Sequence, residues 1–416
     1  MKDHRPQLPK KTQDLFERAV QVIPGGIYGH NSPANTIPGI APYFAKRAEG
    51  CRYWDVDGRE YIDFLCSYGP IVLGHNNKEV DSAADKQRNA GDCFNHPSER
   101  FVELAEYLVG AVDFADWAIF GKNGSDMVNW VIKIAREYTG RKKVIYIDGA
   151  YHGSGYWCPT RGPSGSIPED NVHSHTFSWN DIHRFHKLVN QHKGEIAAII
   201  TTPYHHPGGA DSVLPAEGFF QEIENVCKNK GIVFILDDIR AGFRLHHGGS
   251  HQAFNFTPDI SCFCKAIANG YPLSAAVGRN EFKQAASKVF MTGSYWFSAI
   301  PMAAALTCLH ILKRDNVVEH LQAMGKRLTR GLENSAAKYG LQITCSGPPA
   351  LPYMSFAEEK NLMRMQSFCR YCMENGVFFH PHHNWFINAA HQESDIDEAI
   401  NIADHAFKKV ANKVPA

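Results

Sequence analysis

Five apolar residues run together at 232–236, Ile-Val-Phe-Ile-Leu, and stop abruptly at Asp237 and Asp238. Comparable runs stand at 117–120 (WAIF), 143–148 (KVIYID), 196–200 (IAAII) and 260–265 (ISCFCK). Short apolar stretches without polar alternation predict strands buried on both faces. Between several of them, stretches such as EGFFQEIENVCKNK at 217–230, and the chain from Ser125 onward, space their apolar residues as one face of a helix does. Strands alternating with helices predict an α/β architecture with a mostly parallel sheet covered on both sides.

The two ends of the chain read differently. RYWDVDGREYIDF at 52–64 alternates apolar and polar residues around Asp57-Gly58, the signature of a tight hairpin. A helical region is predicted over about 78–109. From Met302 the pattern changes to long helices with a few short strands and a last helix at 395–410, which predicts a second, smaller domain.

Composition narrows the function. Lys+Arg and Asp+Glu both number 43 in the 416 residues, so net charge draws the chain neither to nucleic acid nor to a membrane surface, and a small molecule is the expected partner. The polar opening, MKDHRPQLPKKTQDLFERAV, reads as entry to an amphipathic helix and has no apolar signal core, so a cytoplasmic location is expected. The eleven cysteines read as reduced and mostly buried, with the Cys262/Cys264 pair too isolated for a zinc site. Among the 22 histidines, His205-His206, His246-His247 and His380, His382, His383 cluster, but adjacent histidines do not suit a helical chelate, and no metal is expected.

In an open parallel sheet, ligands lie beyond the carboxyl ends of the strands. Asp237 ends one such strand, where it either caps the following turn or serves a site. Lys265 ends another. Burial there would disfavour its charge and leave an amine able to attack a carbonyl, the alternative being a lysine that snorkels to solvent. Asn123-Gly124-Ser125 stands at a predicted helix N-terminus, where amide groups, a hydroxyl and the helix dipole either cradle a phosphate or simply cap the helix. Tyr151 and His152 follow the 143–148 strand and offer a ring at the same edge. A phosphate cradle, a flat ring, a carboxylate and a lysine together match the needs of pyridoxal 5'-phosphate.

These segments, with PGG at 24–26, SYGPIVLGH at 67–75, NGSD at 123–126, AYHG, ILDDIRAGFR, CKAIANGYPLSAAVGR and PMAAA at 301–305, run in an order that resembles the class III aminotransferases of the type I pyridoxal-phosphate fold. The resemblance is strongest to the branch containing glutamate-1-semialdehyde 2,1-aminomutase. It implies a seven-stranded, mostly parallel sheet in a large domain at 65–305, with a smaller α+β domain from 1–64 and 306–416. It implies that Lys265 forms the Schiff base with the cofactor and shuttles a proton, and that Asp237 partners the ring nitrogen with Asp238 in support. Gly124 and Ser125 would hold the phosphate, and Tyr151 would stack on the ring beside His152. It further implies a homodimer with shared sites, in which Ser294 of the MTGSYW segment reaches a phosphate, and a substrate side containing Tyr28, His30 and Tyr68. Two departures bear on substrate: Thr201-Thr202-Pro203 stands where relatives have Glu-Pro, and NSPAN, with Asn35, stands where semialdehyde aminomutases carry an arginine. Arg161, Arg240 and Arg244 are the alternative cations for an anionic substrate group.

The activity expected is transfer of an amino group from an amine or amino acid to an oxo acceptor. The alternatives are a pyridoxal-phosphate aminomutase or lyase, and a binding module that keeps only the fold. A nicotinamide dehydrogenase lacks support, because no GxGxxG turn follows an early strand.

Overall fold

The computed structural model describes residues 8–33, 42–158, 165–357 and 359–412. Contacts within the chain divide it into two compact units, one of residues 78–205 and 213–318, the other of residues up to Asn77, 206–212 and from Glu319 on. Relative to the junctions placed at 65 and 305 from the sequence, both main junctions lie further along the chain. The short 206–212 segment joins the second unit because Gly209 N–H donates to His382 O at 2.9 Å and Ser212 N–H to Ser346 Oγ at 3.0 Å.

The first unit is built on a seven-stranded sheet in the order Trp117–Gly121, Ser274–Gly278, Ile260–Phe263, Val233–Asp237, Ile196–Thr201, Lys143–Ile147 and Ser174–Phe177. Ser274–Gly278 runs antiparallel to both of its neighbours, and the other pairs are parallel. The unbroken apolar runs follow from this arrangement. Along Val233–Asp237, Val233 and Ile235 face the helix Gly124–Thr139 with Met127, Val131 and Ile132, while Phe234 and Leu236 face Phe219, Phe220 and Ile223 of the helix Phe219–Lys230. Each strand residue therefore meets an apolar layer, whichever way it points. Six of the seven strands end at one edge of the sheet.

The predicted helix over 78–109 is two helices, Lys78–Ala90 and Glu99–Ala111. Gly91, at φ +119, takes the chain out of the first, and Ser98 begins the second. In the other unit the predicted hairpin is present: Arg52–Asp55 pairs antiparallel with Glu60–Asp63, Tyr53 opposite Tyr61, with Gly58 at φ +90 in the turn. Val377–Phe378 extends that sheet in parallel, so a strand late in the chain pairs with an early one. No helix among the described residues is long and apolar enough to cross a membrane.

The edge pairing of the large sheet is fastened by Trp117, whose indole Nε1 donates to Arg279 O at 2.8 Å while its ring covers Gly278. A Cβ on Gly278 would lie 2.3 Å from that ring. Gly278→Ala is therefore expected to destabilise the protein by about 1–3 kcal/mol through overpacking. The denaturant midpoint of the purified variant measures this; a midpoint equal to that of the native protein would contradict the packing.

Candidate active site

The Trp117–Gly121 strand turns at Asn123 into the helix Gly124–Thr139. Asp126 Oδ2 accepts the N–H groups of Lys122 at 3.0 Å and Asn123 at 2.8 Å, and so fixes the turn. A Cβ on Gly124 would lie 2.6 Å from Ile239 Cδ1, so any larger residue at this helix start would have to displace the side chain in the turn after Asp237. The first-turn amides and the positive end of a four-turn dipole thus lie at the carboxyl edge of the sheet.

Asp237 ends its strand almost fully buried. Its Oδ2 lies 2.7 Å from His152 Nδ1, and its Oδ1 accepts the Ile239 N–H at 3.2 Å. His152 is equally buried, and its ring stacks on Trp157 at 6.2 Å and 21° between planes. A carboxylate only accepts, so Nδ1 carries the proton of this hydrogen bond; Nε2 has no partner among the described residues. Asp238 is committed elsewhere. Its two oxygens accept the Ser250 N–H at 2.7 Å and the Ser250 hydroxyl at 2.6 Å. Burial pushes its carboxyl up to about 7 against the pull of those hydrogen bonds. The two acids that close the apolar run thus have separate partners, one in the histidine that follows the Lys143–Ile147 strand, the other in the serine that anchors the next loop.

Lys265 lies just past the Ile260–Phe263 strand and adopts φ +49, a left-handed conformation that lysine rarely takes. Backbone held there against its preference is a mark of functional positions. The side chain is half-buried, and its ammonium is pulled down to about 7, chiefly by burial and next by the Arg240 guanidinium, with Cys264 and Asp237 opposing. Arg240 and Arg244 also act on Tyr204, a buried phenol that burial pushes up to about 12.

Ser125 Oγ accepts the Ser154 N–H at 3.1 Å, so the loop carrying Tyr151 and His152 reaches the helix start. Tyr151 keeps 42% of its surface exposed. The structure therefore brings Gly124, Ser125, Tyr151, His152, Asp237, Arg240 and Lys265 to one edge of one unit, from four different strands. Ser294 is exposed in a segment with the exposed Phe290, Tyr295 and Phe297. That segment is fastened where Asp92 accepts the Ser298 hydroxyl at 2.6 Å and the Ile300 N–H at 2.9 Å.

Tyr28 and Tyr68 belong to the other unit. Tyr68 sits in an unusual run, Cys66, Ser67, Tyr68 and Gly69 at φ +50, +56, +63 and +110. The run is held at its start by Asp63 Oδ1, which accepts the N–H groups of Leu65 and Cys66. The Tyr68 hydroxyl donates to His30 O at 3.0 Å, and its ring meets those of His30, His380 and His383 at 5.1, 5.9 and 5.0 Å. Sequence reasoning weighed the late histidines only as metal ligands and missed this packing. It also read the cysteines as spread without CxxC spacing, whereas Cys369 and Cys372 have that spacing on the helix Met363–Glu374; both are buried, and burial raises both thiols well above their usual range, so neither is poised to react. Asn35 and Arg161 lie outside the described residues.

Residues 36–407 match the family described as Aminotransferase class-III. The chain is 41% identical over 400 residues to the aminopentol aminotransferase of Sphingopyxis macrogoltabida, covering 96% of this chain and 94% of that protein. It is 31% identical over 429 residues to the glutamate-1-semialdehyde 2,1-aminomutase of Persephonella marina, covering 96% and 99%. Among solved structures, the pyridoxal-phosphate internal aldimine form of the Sphingopyxis sp. MTA144 FumI protein superposes with a TM-score of 0.95 at 40% identity, covering 97% of each chain. The chain belongs to the class III aminotransferases: it is a pyridoxal-phosphate enzyme that moves an amino group between an amine and an oxo compound.

The residues present suit that cofactor. A glycine-opened helix start suits a phosphate, a buried carboxylate suits a ring nitrogen, and an amine with little penalty for losing its proton suits an aldehyde. The lysine gives a direct check. In the cofactor-free protein, Lys265 should react with a small amine-directed acylating reagent at a rate half-maximal near pH 7, whereas an ordinary lysine needs pH 10.5. Mass spectrometry of the Lys265 peptide across pH reads this. Reactivity that rises only above about pH 10, as for a solvated lysine, would refute it.

Proposed function

We propose that Lys265, Asp237, His152, Gly124, Ser125 and Tyr151 are the working residues of this transaminase, and that its amino donor is an amine without the carboxylate of an ordinary amino acid. The observation that carries the assignment of residues is the placement of Asp237 and Lys265 at the ends of adjacent parallel strands, with Asp237 paired in register to Cys262, three residues before the lysine.

When bound, pyridoxal phosphate supplies an aldehyde that condenses with amines and a ring that draws electrons from the carbon bearing the nitrogen. The remaining work falls to side chains. Gly124 and Ser125 would hold the phosphate through the helix start, and Tyr151 would offer its ring to the cofactor's. Asp237 would hold a proton at the ring nitrogen, and His152, buried and hydrogen-bonded, keeps its carboxylate in one orientation. Lys265 Nζ would take the proton from the substrate carbon that bears the amino group and hold it for return; a base whose affinity for protons matches the working pH does this best.

The reading of the donor is supported by the missing arginine at Asn35, by Thr202-Pro203 in place of Glu-Pro, and by the aminopentol named for the relative at 41% identity. Arg240, whose charge is felt at Lys265, is the cation for the carboxylate of the oxo-acid acceptor. The exposed Phe290, at 86%, and Tyr295, at 67%, support a homodimer in which this segment with Ser294 is covered by the second copy.

Visible absorption tests the reading. Protein saturated with pyridoxal phosphate should show a band that an amino alcohol bleaches and an oxo acid restores, with simple α-amino acids at least about tenfold slower. Lys265→Ala should lose the band's covalent character and about 10²–10⁴-fold in turnover. Arg240→Gln should raise KM for the oxo acid and leave KM for the amine nearly unchanged. Bleaching by α-amino acids in preference to amino alcohols would refute the donor class; release of ammonia with no need for an oxo acid would refute the transaminase assignment of these residues.

A further inference from the structure

The loop at 151–154 is fastened at two places that correspond to the two ends of the proposed cofactor site. At one, His152 is buried and bonded through Nδ1 to Asp237 Oδ2 at 2.7 Å. At the other, Gly153 and Ser154 lie against Ser125. Gly153 has φ +93, and a Cβ there would stand 2.4 Å from Ser125 Oγ and 3.0 Å from Ser125 Cα. Residue 153 is therefore constrained twice over, by its backbone conformation and by the closeness of the helix start. The Ser154 N–H donates to Ser125 Oγ at 3.1 Å, and the Ser154 hydroxyl lies 3.4 Å from the same oxygen.

A serine hydroxyl has one proton and two lone pairs. Because Ser125 Oγ accepts from the loop, its own proton is the part left to donate, and an acceptor already polarised by one hydrogen bond donates more strongly in the next. The contact therefore both aims the Ser125 hydroxyl and fixes the loop's distance from the helix start. We propose that Gly153 and Ser154 form a brace that sets the Ser125 hydroxyl as a phosphate donor and holds Tyr151 and His152 in register with it, so that residues 153 and 154 are positioning residues for the cofactor's phosphate end. This inference rests on the assignment of Ser125 and Asp237 given above. Neither residue touches the reacting carbon. Their effect passes through Ser125 and through the loop.

The test compares two probes that differ only at the phosphate: pyridoxal phosphate and pyridoxal, titrated into cofactor-free protein by quenching of intrinsic fluorescence. Gly153→Ala should weaken pyridoxal phosphate by about tenfold or more, the loss of roughly one charge-assisted hydrogen bond, and weaken pyridoxal, which lacks the phosphate, by a clearly smaller factor. Placed on Ser125→Ala, which removes the atom 2.4 Å away, Gly153→Ala should cost less than about threefold, a non-additivity that identifies the shared contact. Ser154→Ala keeps the backbone donor and should cost less than about twofold. If Ser154→Ala costs as much as Gly153→Ala, Ser154 is itself a phosphate ligand and the brace is wrong.

A second measurement stands whether or not Gly153→Ala folds. In the cofactor-free native protein the Ser154 amide should be protected from hydrogen exchange, and Ser125→Ala should remove that protection while the far-ultraviolet spectrum is unchanged. Equal exchange in both proteins would overturn the brace. Failure of the native protein to bind pyridoxal phosphate at all would instead overturn the assignment on which it rests. Normal binding with unaltered affinity in Gly153→Ala would overturn only the brace.

Discussion

The hydrogen bond between Asp237 and His152 is the contact on which the site depends. An acid at the end of a buried strand is costly unless it is paired, and the cost is greatest where both faces of the sheet are covered. Here the partner comes from the loop after the Lys143–Ile147 strand, and its ring is packed against Trp157, which is itself tied to Asn129 Oδ1 at 3.0 Å on the helix Gly124–Thr139. One buried pair thus links the strand that ends in Asp237, the loop that carries Tyr151, and the helix whose start is Gly124. Asp238 extends the same logic by holding Ser250.

That linkage explains why the chemistry is set on stiff elements. Asp237 is on a strand, Lys265 follows one directly, and Gly124 and Ser125 open a helix whose buried face runs through Met127, Val131 and Ile132. A site held this way keeps its groups in place before anything binds. The Lys265 backbone, held left-handed, is the strained exception, and it occurs at the one residue that changes bonding partners in the proposed reaction. Substrate preference is a separate matter. In the unit that carries Lys265, the role of setting it is proposed for Arg240, whose charge is felt at the lysine.

Much of this was legible in the sequence because buried parallel strands write themselves as unbroken apolar runs. The runs at 143–148, 196–200, 232–237 and 260–265 correspond to strands, and the charged residue ending two of them gave Asp237 and Lys265. Ser174–Phe177 and Ser274–Gly278 were not visible by pattern: the first is a short, polar edge strand, and the second is built from small residues. The 78–109 region is two helices because Gly91 takes the chain out of the first, and Ser98 begins the second. His152 was named for its position, but its pairing with Asp237 could not be read, since the two stand 85 residues apart. The same holds for the imidazoles around Tyr68 and for the contact of Gly153 with Ser125, which depend on where separate segments meet and leave no local signal.

The account rests on Asp237 holding a proton at the cofactor's ring nitrogen. Nitrogen-15 magnetic resonance of the protein loaded with ring-labelled pyridoxal phosphate reads that proton directly. The nitrogen should be protonated in the native enzyme at neutral pH, and deprotonated in Asp237→Asn, which keeps the shape and removes the charge. An unprotonated nitrogen in the native enzyme, or a protonated one that survives the loss of the Asp237 carboxylate, would contradict the account.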